Sequence, residues 1–492
     1  MKIYNGYERL PRNYTLLADE YEHTMGLNYY LNGRANDVVV FDVFFRKVPN
    51  GGGYAVMAGI DKVIEYVKNL KFEERDLNYF RRKGYPEEYV NYLKDFKFTG
   101  NIYAIPDGTP VFPNEPLITI EAPIIEAQII ETALLAIVNG AMEHATGARR
   151  IIEATPRNVK VLDMGARRAD GTEASIDSSL YGMMAGCCGT SNQLASDMVN
   201  LKALGTMAHS YVTSYKSELE AFCEYAKVFP NNCILLVDTY DTLNSGIPNA
   251  IKTFNYMKDN GMDVNHIGIR IDSGNLTYFS KKAREMLDEA GFPQATICLS
   301  NGLNAESILA LVRDGACFNT LGVGDNISKP EGRMGCVYKL VALKENNKYV
   351  PSIKLSNDTI KIVNPDLKNL YRIYDKKTGM AIADVITRKE QVLKDNEKIT
   401  VVSLKDNFQK KEISDYYLEE LQKPIFINGE LVYEDMDLNV QQQYCDEQMA
   451  KLYEDYKRAI MPEEYYVDGT EEYVNFKNDL IAKKKMLVKS RG

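Results

Sequence analysis

The chain has 492 residues, of which 26% are charged and 45% hydrophobic, and its formal net charge is −9. That length allows roughly two to four domains with a sizeable core. The acidic balance argues against a dedicated nucleic-acid or anionic-membrane surface, while leaving room for a local basic pocket. No window of about twenty residues is continuously apolar, so no membrane-spanning helix is expected. The opening "MKIYNGYERLPRNYTLL" lacks the apolar stretch of a secretory signal. Eight cysteines include the adjacent pair Cys187 and Cys188 but no C-x-x-C, so neither a zinc site nor a disulfide framework is expected. A reducing cytoplasm is the expected compartment.

Along the chain, "YTLLADEYEHTMGLNYYLNG" reads as a helix and "DVVVFDVFFRKVP" as a strand. The glycine run Gly51 to Gly53 lacks the Lys-Ser/Thr that follows a phosphate loop and reads as a turn. "YAVMAGIDKVIEYVKNL" then reads as a helix. Residues 98–122 alternate in short runs broken by Pro and Gly, as in a small antiparallel β unit. A long helical segment follows from Pro123 to about Glu153.

From there apolar strands alternate with amphipathic helices. The strands are "NVKVLDMG", "LKAL", "CILLVD", "HIGIRID", "TICLSN" and "FNTLGVGD"; a helix is expected across all of "HSYVTSYKSELEAFCEYAKVF". At least six strands between residues 158 and 324 imply parallel β/α units. A barrel and a doubly wound sheet both fit, and the barrel is preferred. From about Lys344 the chain turns rich in Lys, Glu and Tyr, with short strands ("KITVVSL", "IFINGELVY") and two charged helices near the end.

Ligands of parallel β/α folds sit at the carboxyl ends of the strands. Those ends present Asp163, Arg167 and Arg168, then Gly205, Thr206 and His209, then Asp238 and Asp241. They continue with Arg270, Asp272, Ser273 and Gly274, Asn301 and Gly302, and Gly322, Gly324 and Asp325. Aspartates accept from ribose hydroxyls or hold Mg²⁺, glycine turns admit phosphate to backbone N–H groups, and arginine forks grip carboxylate or phosphate. This is the composition of a site for a phosphorylated sugar. Asp241 reads equally as a helix cap, and Arg168 as an ion-paired neighbour. Of the four histidines, His23, His144 and His266 read as structural; His209 falls on the rim.

Together the motifs "ADEYEHTMG" (18–26), "ETALLAIVN" (131–139), "DMGARRADG" (163–171), "GTMAHSYVTS" (205–214), "LLVDTYDTL" (235–243), "GIRIDSGNL" (268–276) and "LGVGDNISKP…GCVYKLV" (321–341) resemble the nicotinate phosphoribosyltransferase family. The resemblance implies a type II phosphoribosyltransferase. Its fold class would be α/β: an irregular parallel α/β barrel with a flanking α+β domain built from the N- and C-terminal parts. The implied divisions are 1–130 (flanking domain with the small β unit), 131–345 (catalytic barrel) and 346–492 (completion of the flanking domain). The implied reaction joins nicotinate to phosphoribosyl pyrophosphate, giving nicotinate mononucleotide and pyrophosphate, the first step of NAD salvage from nicotinate. ATP would serve as co-substrate through a phosphohistidine, with Mg²⁺ as cofactor, in a homodimer whose active site lies near the interface.

The resemblance also distributes roles. His209 matches the phosphorylated histidine, and Asp238 and Asp272 match the ribose and Mg²⁺ positions. Tyr21 matches the aromatic that stacks on the pyridine, from its own or a partner subunit. Thr206 and Arg270 match nicotinate contacts, Arg167 a substrate-binding arginine, and Gly302, Gly322 and Gly324 the 5′-phosphate site. The nearest competing reading is nicotinamide phosphoribosyltransferase, where an aspartate in a Gly-Thr-Asp segment accepts from the amide. The comparable stretch here is "GTSN", with Ser191 in that place, which favours the acid. A metal-dependent barrel hydrolase using Asp163, Asp238 and Asp272 is a further alternative; it lacks the paired histidines such sites carry. Three positions depart from the family pattern: Met164 replaces an aromatic, Gly147 a lysine, and Asp325 a threonine.

Overall fold

A computed structural model describes residue 8 and residues 12–355, 363–405, 408–434 and 436–489. The chain forms two compact units, Gly147–Glu331 and the combination of Met1–Thr146 with Gly332–Gly492. No helix among the described residues is long and apolar enough to cross a membrane.

The Gly147–Glu331 unit is built on six strands: β1 (Lys160–Asp163), β2 (Gly189–Thr190), β3 (Cys233–Leu236), β4 (Ile267–Ile271), β5 (Thr296–Ser300) and β6 (Thr320–Val323). They form one sheet in the order β2-β1-β6-β5-β4-β3, and every neighbouring pair is parallel. The first and last strands, β1 and β6, are adjacent. That is the cyclic order of a barrel, since a doubly wound sheet places its first strand centrally and its last at an edge. The sheet is a curled half-barrel with β2 and β3 as its two edges. Short apolar runs with little alternation suit strands covered on both faces.

Helices pack against these strands through apolar stripes. In Ala305–Arg313 the buried positions are Ala305, Ile308 and Leu311, a three-residue spacing along one face. Its start is a reciprocal capping box: Asn304 accepts from the Ser307 amide at 2.8 Å, and the Ser307 hydroxyl accepts from the Asn304 amide at 2.9 Å.

Two expectations fail in this unit. The "LKAL" run is not a strand. Leu201 closes the preceding helix by donating to Ser196, and Leu204 makes a lone bond to the Thr190 carbonyl at 2.9 Å. The sixth strand is instead the two-residue β2, too short to leave a periodic signal. The helix expected across residues 209–229 breaks into His209–Thr213 and Glu218–Val228, because Ser217 takes an extended backbone and caps the second piece by accepting from the Glu220 amide.

The other unit contains a seven-stranded antiparallel sheet ordered Lys348–Pro351, Val337–Glu345, Val38–Phe44, Ile118–Pro123, Asn101–Ala104, Lys423–Ile427, Glu430–Leu431. Its six-stranded sheet includes the adjacent long strands Ala381–Arg388 and Lys368–Asp375, two strands the sequence reading does not single out. Pairing of Asn101–Ala104 with Lys423–Ile427 joins the two ends of the chain in one sheet, as the family resemblance implies. Arg372 and Asp384 form a fully buried bidentate pair there, at 2.8 and 2.6 Å.

The structural reading of His23 and His266 is matched by their surroundings. His23 is buried with its ring 4.7 Å from Phe80, and His266 is an exposed partner of Asp263 at 2.8 Å.

Candidate active site at the barrel mouth

The carboxyl ends of β3, β4 and β5 deliver Asp238, Asp272 and Ser300, and the segment after β2 delivers Thr206 and His209. These residues form one linked network around Arg270 on β4. Its Nε donates to Ser300 Oγ at 2.9 Å, Nη1 to Thr206 Oγ1 at 3.2 Å, and Nη2 to Asp272 Oδ1 at 2.9 Å. The guanidinium is 12% exposed, and one N–H of each terminal nitrogen is left for a further acceptor.

Asp272 accepts a short bond from the Ser300 hydroxyl on the oxygen that meets Arg270. Burial alone would raise its pKa, but Ser300, Arg270 and nearby His209 together hold it below the ordinary carboxylate value. Its other oxygen lies 3.8 Å from His209 Nε2. The opposite ring nitrogen, Nδ1, is 3.1 Å from Thr239 Oγ1, so the imidazole is hydrogen-bonded on one side and faces Asp272 on the other while 44% exposed. His209 opens a helix of only five residues, which limits the dipole it can contribute.

Asp238 accepts from the Asp272 amide at 3.2 Å and from the Ser273 hydroxyl, both on Oδ2. Its Oδ1 is buried without a hydrogen-bond partner, an acceptor whose bonding capacity is unused. Among the described residues no group of three or more His, Cys, Asp or Glu side chains is placed to hold a metal ion. Mg²⁺ in phosphate-handling sites uses one or two carboxylates together with substrate phosphates, and Asp238 with Asp272 fits that donor set.

The remaining predicted residues are distributed as follows. Ser191 is half-buried at the end of β2, its amide donating to the Asp163 carbonyl at 2.9 Å. Arg167 is exposed in the short turn Ala166–Arg168. Gly302 takes φ +60° in the turn after β5, and Gly324 precedes the short helix Asp325–Ser328. A Cβ at Gly322 would lie 2.7 Å from Met164 Sδ, so that thioether packs against the strand backbone. Tyr21 belongs to the other unit, on the Glu20–Leu31 helix, where it is 43% exposed and donates to Glu131.

Several rim residues prove structural. Asp163 is fully buried and accepts from the Gly165 amide, Ser179 and Thr190 at 2.8, 2.9 and 2.6 Å, which spends both oxygens. Asp241 caps the turn that begins at Thr242. Arg168 meets Asp325 at 3.4 Å, so the anion that replaces threonine there is ion-paired. Thr239 and Ser300 are the members of the network that the sequence does not single out. Their signal was adjacency, since Thr239 follows Asp238 and Ser300 closes the strand just before Asn301 and Gly302.

The Met1–Thr146/Gly332–Gly492 unit holds a cavity of about 750 Å³ lined by Arg46, Lys47, Lys368, Lys405 and Lys477 against three carboxylates, Asp42, Glu463 and Glu464. The glycines 51–53, read from the sequence as a turn, form part of its wall. Arg46 Nε is buried there without a partner, and burial, then nearby Lys368, lowers Lys477 to about 8. The cationic surplus suits a phosphate-bearing ligand.

A parallel barrel whose mouth gathers a braced arginine, two carboxylates, an imidazole and several hydroxyls belongs to the barrel enzymes acting on anionic substrates. Comparison with known proteins makes the class specific. The nicotinate phosphoribosyltransferase (NAPRTase) N-terminal domain profile matches residues 16–139, the NAPRTase family profile 159–412, and the C-terminal domain profile 367–477. The chain is 38% identical over 461 residues to a nicotinate phosphoribosyltransferase of Bacillus subtilis, covering 93% of each. It is 32% identical over 515 residues to that of Dictyostelium discoideum, covering 93% of this chain and 86% of the relative. The crystal structure of human nicotinic acid phosphoribosyltransferase superposes with a TM-score of 0.83 at 24% identity, over 94% of this chain and 99% of that one. At that identity the likeness speaks to fold. The chain belongs to the nicotinate phosphoribosyltransferase family. It is a phosphoribosyltransferase, a glycosyltransferase of NAD biosynthesis.

Proposed function

We propose that the enzyme couples ATP hydrolysis, through phosphorylation of His209, to the joining of nicotinate and phosphoribosyl pyrophosphate, and that it does so as a cytoplasmic homodimer. The observation that carries this reading is His209 at the barrel mouth, held by Thr239 and facing Asp272 at 3.8 Å within the Arg270 network.

The spare N–H groups of Arg270 form a fork for the nicotinate carboxylate, with Thr206 and Ser191 donating beside it, and Tyr21 stacks on the ring. Arg167 binds substrate from its exposed turn. The pyridine nitrogen attacks the anomeric carbon with its own lone pair as the bond to pyrophosphate breaks, so no general base is needed. Asp238 and Asp272 orient the ribose and place negative charge near the oxocarbenium-like centre. Gly302, Gly322 and Gly324 let backbone groups approach the 5′-phosphate. Mg²⁺, held by Asp238 and Asp272, would neutralise the leaving pyrophosphate. The hydrolase alternative loses a ligand, because both oxygens of Asp163 are spent on internal hydrogen bonds.

The test compares nicotinate and nicotinamide as acceptors, with and without ATP, in the parent and in His209→Ala. The acid should be used, ATP should lower the requirement for phosphoribosyl pyrophosphate, and the variant should lose the ATP effect. An ATP effect that survives in the variant would remove the phosphohistidine from the mechanism.

A further inference from the structure

Tyr21 sits between two residues that anchor its helix. The Asp19 amide donates to Thr132 Oγ1 at 3.2 Å, and the Thr132 hydroxyl and amide both donate to Glu22 Oε1, the amide at 3.1 Å. The Glu22 amide returns to the Asp19 carbonyl at 3.0 Å. This clamp ties the start of the Glu20–Leu31 helix to the start of the Glu131–Ala154 helix. Glu22 is fully buried, and its second oxygen, Oε2, has no hydrogen-bond partner. A carboxylate with one oxygen stranded in the interior is costly, and holding a proton removes the larger part of that cost, the buried charge.

Charged and titratable groups act on Glu22 from its own helix and from the elements around it, and Lys339 acts on the neighbouring Glu131. Those around Glu22 are Glu131 and Asp19, with Tyr21 beside it on its own helix, Tyr66 on the Ile60–Lys68 helix, and Tyr338 on the Val337–Glu345 strand. Glu131, itself raised by burial, accepts from the Tyr21 hydroxyl. Ionising Glu22 would therefore add a second anion beside the Tyr21–Glu131 contact, with its Oε2 left without a hydrogen bond.

We propose that Glu22 is a positioning residue that works as a neutral carboxylic acid: protonated, it seats Tyr21 for nicotinate, and on losing its proton it loosens that seat. The proposal rests on the reading of Tyr21 as the stacking residue. Burial, the largest influence, moves the titration of Glu22 up to about 8, within the range of ordinary assays. A competent form that falls from mostly populated at pH 7 to about one part in ten at pH 9 raises an apparent KM about tenfold.

The experiment measures KM and kcat for nicotinate from pH 7 to 9 in the parent, Glu22→Gln and Tyr21→Ala, together with infrared spectra in the protonated-carboxyl region. Glutamine reproduces the neutral acid's shape. Glu22→Gln is expected to abolish the alkaline rise in KM, keep kcat, and delete one protonated-carboxyl band present at pH 7 and lost by pH 9. An alkaline rise that persists unchanged in Glu22→Gln, or the absence of any such band, overturns this inference alone. An unchanged KM in Tyr21→Ala overturns the stacking reading and the inference with it.

Discussion

Asp272 turns its two carboxylate oxygens to different tasks: Oδ1 receives Arg270 at 2.9 Å and the Ser300 hydroxyl, while Oδ2 faces His209 Nε2 at 3.8 Å. One side chain thus braces the proposed nicotinate fork and flanks the proposed phosphoryl acceptor. Its folded pKa lies below the unfolded value of about 3.9, so its stabilising contribution is present above that value and is lost as the pH falls through the lower folded one. Between pH 5 and 9 it stays ionised and adds no limb to a pH–rate profile. Asp272→Asn should lower kcat by on the order of 10² and also raise KM for nicotinate, because Arg270 loses its charged partner. Steady-state kinetics on a variant of unchanged melting temperature checks this. Parental kcat would separate Asp272 from the chemistry.

Ser191 tests the choice between acid and amide. A carboxylate in its place would confront the nicotinate carboxylate, a repulsion of roughly 4 kcal/mol at 4 Å and an effective dielectric of 20. Ser191→Asp should therefore raise KM for nicotinate by about 10²- to 10³-fold and improve use of nicotinamide. The Ser191 main chain is pinned through its amide to Asp163, so the new side chain would project from the same place. Equal use of nicotinate by the variant would mean that Ser191 does not face the pyridine substituent.

Gly147 departs from the family's lysine for a reason visible in the packing. A Cβ there would stand 2.6 Å from Pro330 Cβ and 3.1 Å from the Asn326 carbonyl oxygen. In an open helix Gly→Ala gains about 1 kcal/mol. Overpacking of this kind costs about 1–3 kcal/mol and reverses the sign. Gly147→Ala should lower stability in chemical denaturation, and Gly147→Lys should lower it further. A stabilised alanine variant would show that the Pro330 turn yields.

Much of the barrel was readable because each of its longer strands is an apolar run followed by an amphipathic helix, and the rim rule then located Asp238, Arg270 and Asp272 without coordinates. What escaped was short or context-dependent. Gly189–Thr190 is too brief for any period, and "LKAL" has strand-like composition but bonds to a sheet edge through only one amide. Asp163 and Asp272 look alike at their strand ends. Only the neighbours distinguish them: three donors spend both oxygens of Asp163, whereas one oxygen of Asp272 faces the His209 imidazole at 3.8 Å. The cationic cavity draws on residues from Arg46 to Lys477, which no local motif could have joined.

His23 supplies a stability test with a definite sign. Both ring nitrogens are buried without partners, and the ring lies 4.7 Å from Phe80 and 6.0 Å from Phe72. Burial, reinforced by Lys83 and opposed by Glu20, lowers its pKa to about 4. The unfolded chain binds the proton near pH 6.5 and the folded chain only near 4, so stability is intact above 6.5, declines as pH falls between those values, and levels off below 4. The full loss is about 3 kcal/mol, of which about 2 accrues between pH 6.5 and 5. His23→Leu should lack that increment while packing against the same aromatic rings. Urea unfolding at pH 7 and 5 measures it: the parent should lose about 2 kcal/mol more than the variant, and identical losses would show that His23 gains a proton without unfolding its surroundings.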